Sequence, residues 1–145
     1  MKKSIVIVLF CLAGNFAMAQ DARDGITKAC MNYIEGFYEG DTAKLIQSLK
    51  PTLYKFGYWK AKGTTTYEPD GNMTYRQALD YARNVMEKKH FAKADAPKKV
   101  EVLDIQNTIA AARVTAWWGV DYVLLAKQND VWMIEQVLWE GPLQQ

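Results

Sequence analysis

Residues 99–140, KVEVLDIQNTIAAARVTAWWGVDYVLLAKQNDVWMIEQVLWE, decide the fold. Four runs rich in β-branched and aromatic residues, 100–106, 108–118, 121–127 and 131–139, are separated by short breaks. Such side chains pack well on a pleated surface, so each run favours extended backbone. The breaks are Gln106-Asn107, Gly119-Val120 and Gln128-Asn129-Asp130. Glycine first in a two-residue loop suits a type II′ hairpin, and Asn-Asp suits a type I′ one. The stretch therefore reads as a four-stranded antiparallel meander. In this register Trp118 pairs with Asp121 and Trp117 with Tyr122, so the two tryptophans point to opposite faces. One face carries Arg113, Thr115, Trp117, Tyr122 and Leu124; the other carries Val114, Ala116, Trp118, Val123 and Leu125. The last strand divides into Trp132, Ile134, Gln136 and Leu138 against Met133, Glu135, Val137 and Trp139. A two-residue and a three-residue loop at 128–130 remain open, and a one-residue slip there exchanges those faces.

Upstream the pattern changes to helical. Ile26, Cys30, Tyr33, Ile34 and Phe37 form an apolar stripe against Lys28, Asn32, Glu35 and Glu39, the two faces of one amphipathic helix over 20–40. Gly36 within it costs about 1 kcal/mol relative to Ala, which points to a close approach by a neighbouring element. Asp41 caps a second, short helix that turns Leu45, Ile46 and Leu49 inward and ends at Pro51. Residues 53–59 alternate Tyr54, Phe56 and Tyr58 against Lys55, Gly57 and Trp59, a strand period. A turn at Lys62-Gly63 and a return strand over 64–67 complete a hairpin, and Glu68-Pro69-Asp70-Gly71 reads as a loop. Thr74 and Gln77 have capping-box spacing at the start of a third helix. Lys88, Lys89 and His90 place positive charge at its C-terminal end.

The chain has 145 residues, room for one domain with a proper core. Lys2 and Lys3, an apolar run over 4–14 and Ala17-Met18-Ala19 form the pattern of an export signal. Residues 1–19 are therefore expected to be a signal peptide and 20–145 a single domain, periplasmic or secreted, with no membrane attachment after cleavage. Without Lys2 and Lys3 the eighteen Lys+Arg fall to sixteen, equal to the sixteen Asp+Glu. A neutral domain offers no field for phosphate backbones, so nucleic acid is not an expected partner. Cys30 is then the sole cysteine, which leaves no internal disulfide, and buried packing is its expected role.

Helix, helix, hairpin, helix and meander make an α+β domain. In this order the chain resembles the nuclear transport factor 2-like (SnoaL-like) superfamily, and within it the bacterial family described as "putative lumazine-binding". The likeness rests on Tyr33-Ile34-Glu35-Gly36-Phe37-Tyr38-Glu39-Gly40-Asp41, on Met73-Thr74-Tyr75, and on Asp121-Tyr122-Val123-Leu124-Leu125 with Trp132-Met133-Ile134. It implies a cone-shaped fold: three helices packed on a curved antiparallel sheet ending in the four-stranded meander, with a cavity under the first helix. Lys50-Pro51 and Trp139-Glu140 stand where such proteins often carry His-Pro and a histidine, so histidine chemistry is not expected.

No metal-ligand spacing, nucleophile elbow or phosphate-binding glycine loop occurs, so neither metal nor cofactor is expected. His90, the one histidine, stands at a helix end beside two lysines with no partner nearby in sequence to orient it. What remains is a set of aromatics with a few polar groups, the composition of a small-molecule site. The expected ligand-binding residues are Tyr33, Phe37, Tyr54, Tyr58, Arg113, Trp117, Tyr122, Glu135 and Trp139. No reaction is assigned. The alternative is an acid–base enzyme of the ketosteroid isomerase, polyketide cyclase or dehydratase type, with Asp121 or Glu135 as base and Tyr122 or Tyr33 as donor. Both faces of the meander are apolar and three helices cover one, so a homodimer through the other face is expected.

Overall fold

The computed structural model describes the backbone of residues 4–143 and the side chains of residues 19–143. Residues 1–3 of the expected export signal lie outside the described residues, as do the side chains of residues 4–18. Among the described residues, no helix is long and apolar enough to cross a membrane. The elements are α1 (Ser4–Glu39), α2 (Thr42–Ser48), β1 (Leu49–Trp59), β2 (Glu68–Thr74), α3 (Tyr75–Lys88), β3 (Lys99–Ile105), β4 (Ile109–Ala116), β5 (Gly119–Gln128) and β6 (Val131–Gly141).

The strands form one six-stranded sheet in the order β2-β1-β6-β5-β4-β3. The meander is present, but the expectation of a curved antiparallel sheet is overturned: the sheet is open rather than curled, and it is mixed. β1 runs parallel to β6, with Tyr54 opposite Gln136 and Trp59 opposite Gly141. Hairpin signals report only pairing between neighbours in sequence. A parallel pair needs a long crossover, here made by β2, α3 and the meander, and nothing local announces it.

Three local irregularities decide which side chains face inward. The first is the β4–β5 turn. Ala116 pairs with Gly119 and Val114 with Asp121, so Trp117-Trp118 is the turn and Gly119-Val120 already belongs to β5. The register moved by an even number of residues, which preserves the faces of β4 and β5. Ala112, Val114, Ala116, Asp121, Val123 and Leu125 are buried, while Tyr122 and Leu124 are exposed. Trp117 and Trp118, however, leave the strand alternation, and the expectation that they diverge to opposite faces fails for that reason.

The second is a bulge at Glu135. Leu124 faces Gln136 and Leu125 faces Ile134, leaving Glu135 as the extra residue on β6. One inserted residue reverses the alternation. Trp132 and Ile134 before it, and Val137 and Trp139 after it, therefore share the inner face. Ahead of the bulge, β5 turns into β6 through Asn129-Asp130, both at positive φ (50° and 59°), the two-residue alternative with type I′ geometry.

The third lies in β2. Phe56 pairs with Asn72 and Tyr58 with Pro69, so Asp70-Gly71 faces the single residue Gly57. Gly71 takes φ 68°, the left-handed conformation a bulge can require. The expected loop at 68–71 is thus part of a strand, and the return strand lies over 68–74 rather than 64–67. Pro69 is tolerated because β2 is an edge strand that needs no donor there. Pro51 likewise falls inside β1, not after α2, where the β1–β6 pairing is interrupted between Leu49 and Tyr54.

The helices pack on one face of the sheet. Asp41 caps α2 by accepting from the backbone N–H groups of Ala43 and Lys44, and Thr74 and Gln77 close the capping box of α3. Ile26, Cys30, Tyr33, Ile34 and Phe37 of α1 are all buried against the inner sheet face. Gly36 meets α2: a Cβ there would lie 2.5 Å from Leu45 Cδ2 and 3.1 Å from the Asp41 carbonyl oxygen. Helix propensity favours alanine by about 1 kcal/mol, whereas overpacking a filled site costs about 1–3 kcal/mol. We expect Gly36→Ala to lower the midpoint of thermal unfolding; a higher midpoint would mean that α2 yields and propensity wins.

Candidate functional site

The site is built on a buried carboxylate. Asp121, on the inner face of β5, is completely buried. Its neighbours across the sheet are Val114 on β4 and Trp139 on β6, and Trp139 in turn faces Gly57 of β1. A Cβ on Gly57 would lie 2.4 Å from Trp139 Cδ1, so the bare glycine makes room for the indole. Two residues along β1, on the same face, stands Lys55.

An isolated charge in an apolar interior is prohibitively expensive, and it persists only when paired and hydrogen-bonded. Asp121 is supplied from three elements. The Tyr33 hydroxyl on α1 donates to Oδ2 at 2.7 Å, and the Trp118 indole N–H donates to Oδ1 at 2.9 Å. The Lys55 ammonium lies 3.7 Å from Oδ2 and donates to the Tyr33 hydroxyl oxygen at 2.8 Å. Lys55 Nζ also sits 5.2–5.8 Å from the ring centroids of Trp139, Tyr33 and Trp118, within reach of a cation–π attraction. Burial pushes the Lys55 amine below the ordinary lysine value, and the Asp121 carboxylate opposes that push. Burial, then the same carboxylate, holds the Tyr33 phenol well above its ordinary value and keeps it a neutral donor. Burial, helped by Asp121, pushes the Cys30 thiol up to about 12.

Above this floor is a cavity of about 340 Å³. Its walls are Tyr33 and Phe37 from α1, Lys55 and Trp59 from β1, Asp70 and Met73 from β2, Tyr81 from α3, Trp117 and Trp118 from the β4–β5 turn, and Trp139 from β6. Trp118 is the hinge of this wall, edge-on to Tyr33, Phe37, Tyr38 and Trp117 at centroid distances of 5.7–5.9 Å. The turn that presents it is tied to α1, because the Trp117 backbone N–H donates to the Tyr38 hydroxyl at 2.8 Å. That hydroxyl donates onward to the Pro97 carbonyl at 2.6 Å. The β2 bulge brings Asp70 to the cavity wall. The arrangement is an aromatic-lined pocket of small-molecule size with one buried amine at its base.

Of the residues singled out in the sequence, the cavity wall includes Tyr33, Phe37, Trp117 and Trp139. Asp121 lies behind that wall with both oxygens engaged. Tyr54, Tyr58 and Tyr122 are 50%, 41% and 55% exposed on the opposite face of the sheet. Arg113 is on that outer face too, paired with Glu101 at 2.7 Å. Glu135, at the bulge, pairs with Lys50 at 2.7 Å and accepts from the Thr52 hydroxyl at 3.0 Å, contacts that hold its carboxyl below the usual range. None of these five lines the cavity.

Lys55, Trp59, Asp70, Met73, Tyr81 and Trp118 were not among the expected site residues. For Lys55 a signal existed. Leu49 and Leu53 share its parity in β1, and two buried leucines outweigh the aromatic half of the alternation at 54, 56 and 58. Trp118 required the true turn, and Asp70 required the bulge.

Several solved structures share this architecture. A NTF2-like protein of unknown function from Methylobacillus flagellatus KT superposes with a TM-score of 0.61 at 19% identity, over 83% of this chain and 91% of that one. One from Shewanella baltica OS155 gives 0.59 at 20% identity, over 83% and 94%. One from Silicibacter pomeroyi DSS-3 gives 0.57 at 13% identity, over 86% and 96%. The fold is therefore that of the NTF2-like superfamily. Residues 21–140 match the family described as "Putative lumazine-binding", and the chain belongs to that family. No curated protein matches it.

Two outcomes follow from the floor of the site. Asp121→Asn leaves Lys55 buried without a counter-charge, and breaking such a pair costs about 3–5 kcal/mol. Urea unfolding at neutral pH is expected to show that loss, and the double variant Lys55→Met/Asp121→Asn to recover part of it. Equal losses in the single and double variants would show that the charges are not coupled. Cys30, buried and held protonated, is expected to react with a thiol reagent only after denaturant is added; labelling of the native protein at neutral pH would contradict its burial.

Proposed function

We propose that this domain binds a small planar aromatic molecule in the cavity beneath α1. The observation that carries the reading is the wall itself: rings from five separate elements surround about 340 Å³ of space, with a buried amine at the base. Rings in edge-to-face or offset contact with a planar ligand contribute about 0.5–1.5 kcal/mol per pair beyond buried area. The family description names lumazine, a planar heterocycle, which is the same class of shape. In this reading Phe37, Trp117, Trp118 and Trp139 hold the ligand faces, and Lys55 sets its orientation.

Acid–base catalysis on Asp121 gains nothing from the geometry, because both carboxylate oxygens are occupied. Glu135 and Tyr122 stand outside the cavity. The domain acts here as a binder, working outside the cytoplasm after removal of residues 1–19. Its outer sheet face supplies a second-copy contact. Phe56, Leu138 and Tyr122 align across β1, β6 and β5, and the neutral Arg113–Glu101 pair borders them, so two copies meet there without repulsion.

Titration of the intrinsic tryptophan fluorescence with lumazine and related planar heterocycles tests the binding reading. We expect saturable quenching, weakened about tenfold by Phe37→Ala and unchanged by Tyr58→Ala. Quenching that responds to Tyr58 and not Phe37 would move the site to the other face and defeat the reading. Light scattering at micromolar concentration is expected to show a dimer that Tyr122→Arg converts to monomer; a monomeric parent would remove the contact. Intact mass of exported protein is expected to begin at Gln20, and an uncleaved chain would refute export.

A further inference from the structure

We propose that Lys55 captures a planar, conjugated aldehyde as a covalent iminium, with Asp121 as its buried counter-ion. The inference rests on the binding reading above and gives the ligand a functional group. Among the described residues Lys55 is the one cation lining the cavity, and its side chain is 9% exposed. Charge balance argues against simple salt-bridging to a ligand anion: Asp121 lies 3.7 Å from Nζ, and Asp70 adds a second carboxylate to the site, so no net positive field is left for an anion. A carbonyl needs no such field. It needs an amine that can shed its proton, a path for that proton, and something to stabilise the cation that results.

Each requirement has a named group. Desolvation favours the neutral amine, the form that attacks. The Tyr33 hydroxyl, 2.8 Å from Nζ and 2.7 Å from Asp121 Oδ2, is placed to pass protons between nitrogen, carboxylate and carbonyl oxygen. The Nζ lone pair forms a bond to the carbonyl carbon, and the π pair moves to oxygen, which takes up a proton. The carbinolamine then releases water as the nitrogen lone pair closes the C=N bond. Two protons leave the ammonium and end in that water, so the sum is ammonium plus aldehyde giving iminium plus water, with no oxidant or reductant. The iminium keeps the positive charge where the ammonium had it, beside Asp121 and close to the Trp118 and Trp139 rings. A conjugated aldehyde extends its plane between those indoles.

The test uses the whole mature protein and two probes, naphthaldehyde and naphthalenemethanol, which share a ring system and differ in the carbonyl. The alcohol, followed by calorimetry, reads the cavity alone. The aldehyde, at one equivalent with sodium cyanoborohydride, fixes any iminium as a secondary amine, and peptide mapping then locates it. We expect the label to fall mainly on Lys55, at least about tenfold above any surface lysine, and to be displaced by excess alcohol. Alcohol binding with the label spread over surface lysines and absent from Lys55 would overturn the iminium and leave the binding reading intact. Neither alcohol binding nor a Lys55 label would overturn both. Because the mapping is done on the unaltered chain, it does not depend on a Lys55 variant folding. Lys55→Met, where it folds, is expected to abolish the label.

Discussion

A carboxylate with no access to water sets the terms for the rest of this molecule. Asp121 is completely buried, and its charge is tolerable only because α1, β1 and the β4–β5 turn each bring a partner to it. All three also contribute to the cavity wall. The requirement to satisfy one charge thus fixes the orientation of Tyr33, Lys55 and Trp118 before any ligand arrives. A side chain committed to a buried hydrogen bond has little rotamer freedom left to lose on binding. The floor of the pocket is rigid for reasons of stability, and that rigidity is available to recognition.

The walls obey a different rule. They are aimed by departures from regular structure: the bulge at Glu135 turns Trp139 inward, the bulge at Asp70-Gly71 brings Asp70 to the cavity, and the tight turn presents Trp117 and Trp118 together. A bulge adds one residue to one strand and re-aims everything beyond it. Without the extra residue on β6, Trp139 would join Leu138's present face and the pocket would lose one side. The regular sheet makes the platform, and its irregular positions make the site.

This division explains what could be read in the chain. The α1 stripe, the Asp41 and Thr74 caps and the four meander runs rest on local periodicity and capping chemistry, and these are written in consecutive residues. The faces of β4 and β5 also emerged, because an error of an even number of residues leaves alternation intact. The parallel β1–β6 pair joins segments about eighty residues apart and has no local signature. The bulges were hidden in the same way. Glu68-Pro69-Asp70-Gly71 has the composition of a loop, and only pairing with β1 makes it a strand.

The aromatic residues show why composition alone could not locate the site. The chain carries two aromatic sets on opposite faces of one sheet. Tyr54, Phe56, Tyr58 and Tyr122 form the outer set, and Trp59, Trp117, Trp118 and Trp139 the inner one. Nothing in residue type separates them, since both sets have rings suited to stacking on a ligand. What separates them is the polar group each set keeps. The outer face keeps Arg113, which lies opposite Tyr122 and whose charge is met by Glu101 on the open face of the sheet. The inner rings close over Lys55, only 9% exposed, and over the completely buried Asp121. Low dielectric strengthens every electrostatic contact within such a pair and raises the penalty for leaving it incomplete. Chemistry at a lysine depends on that environment more than on the rings themselves. The placement of one charged pair, set by the parity of β1 and β5, therefore assigns opposite roles to two chemically similar surfaces.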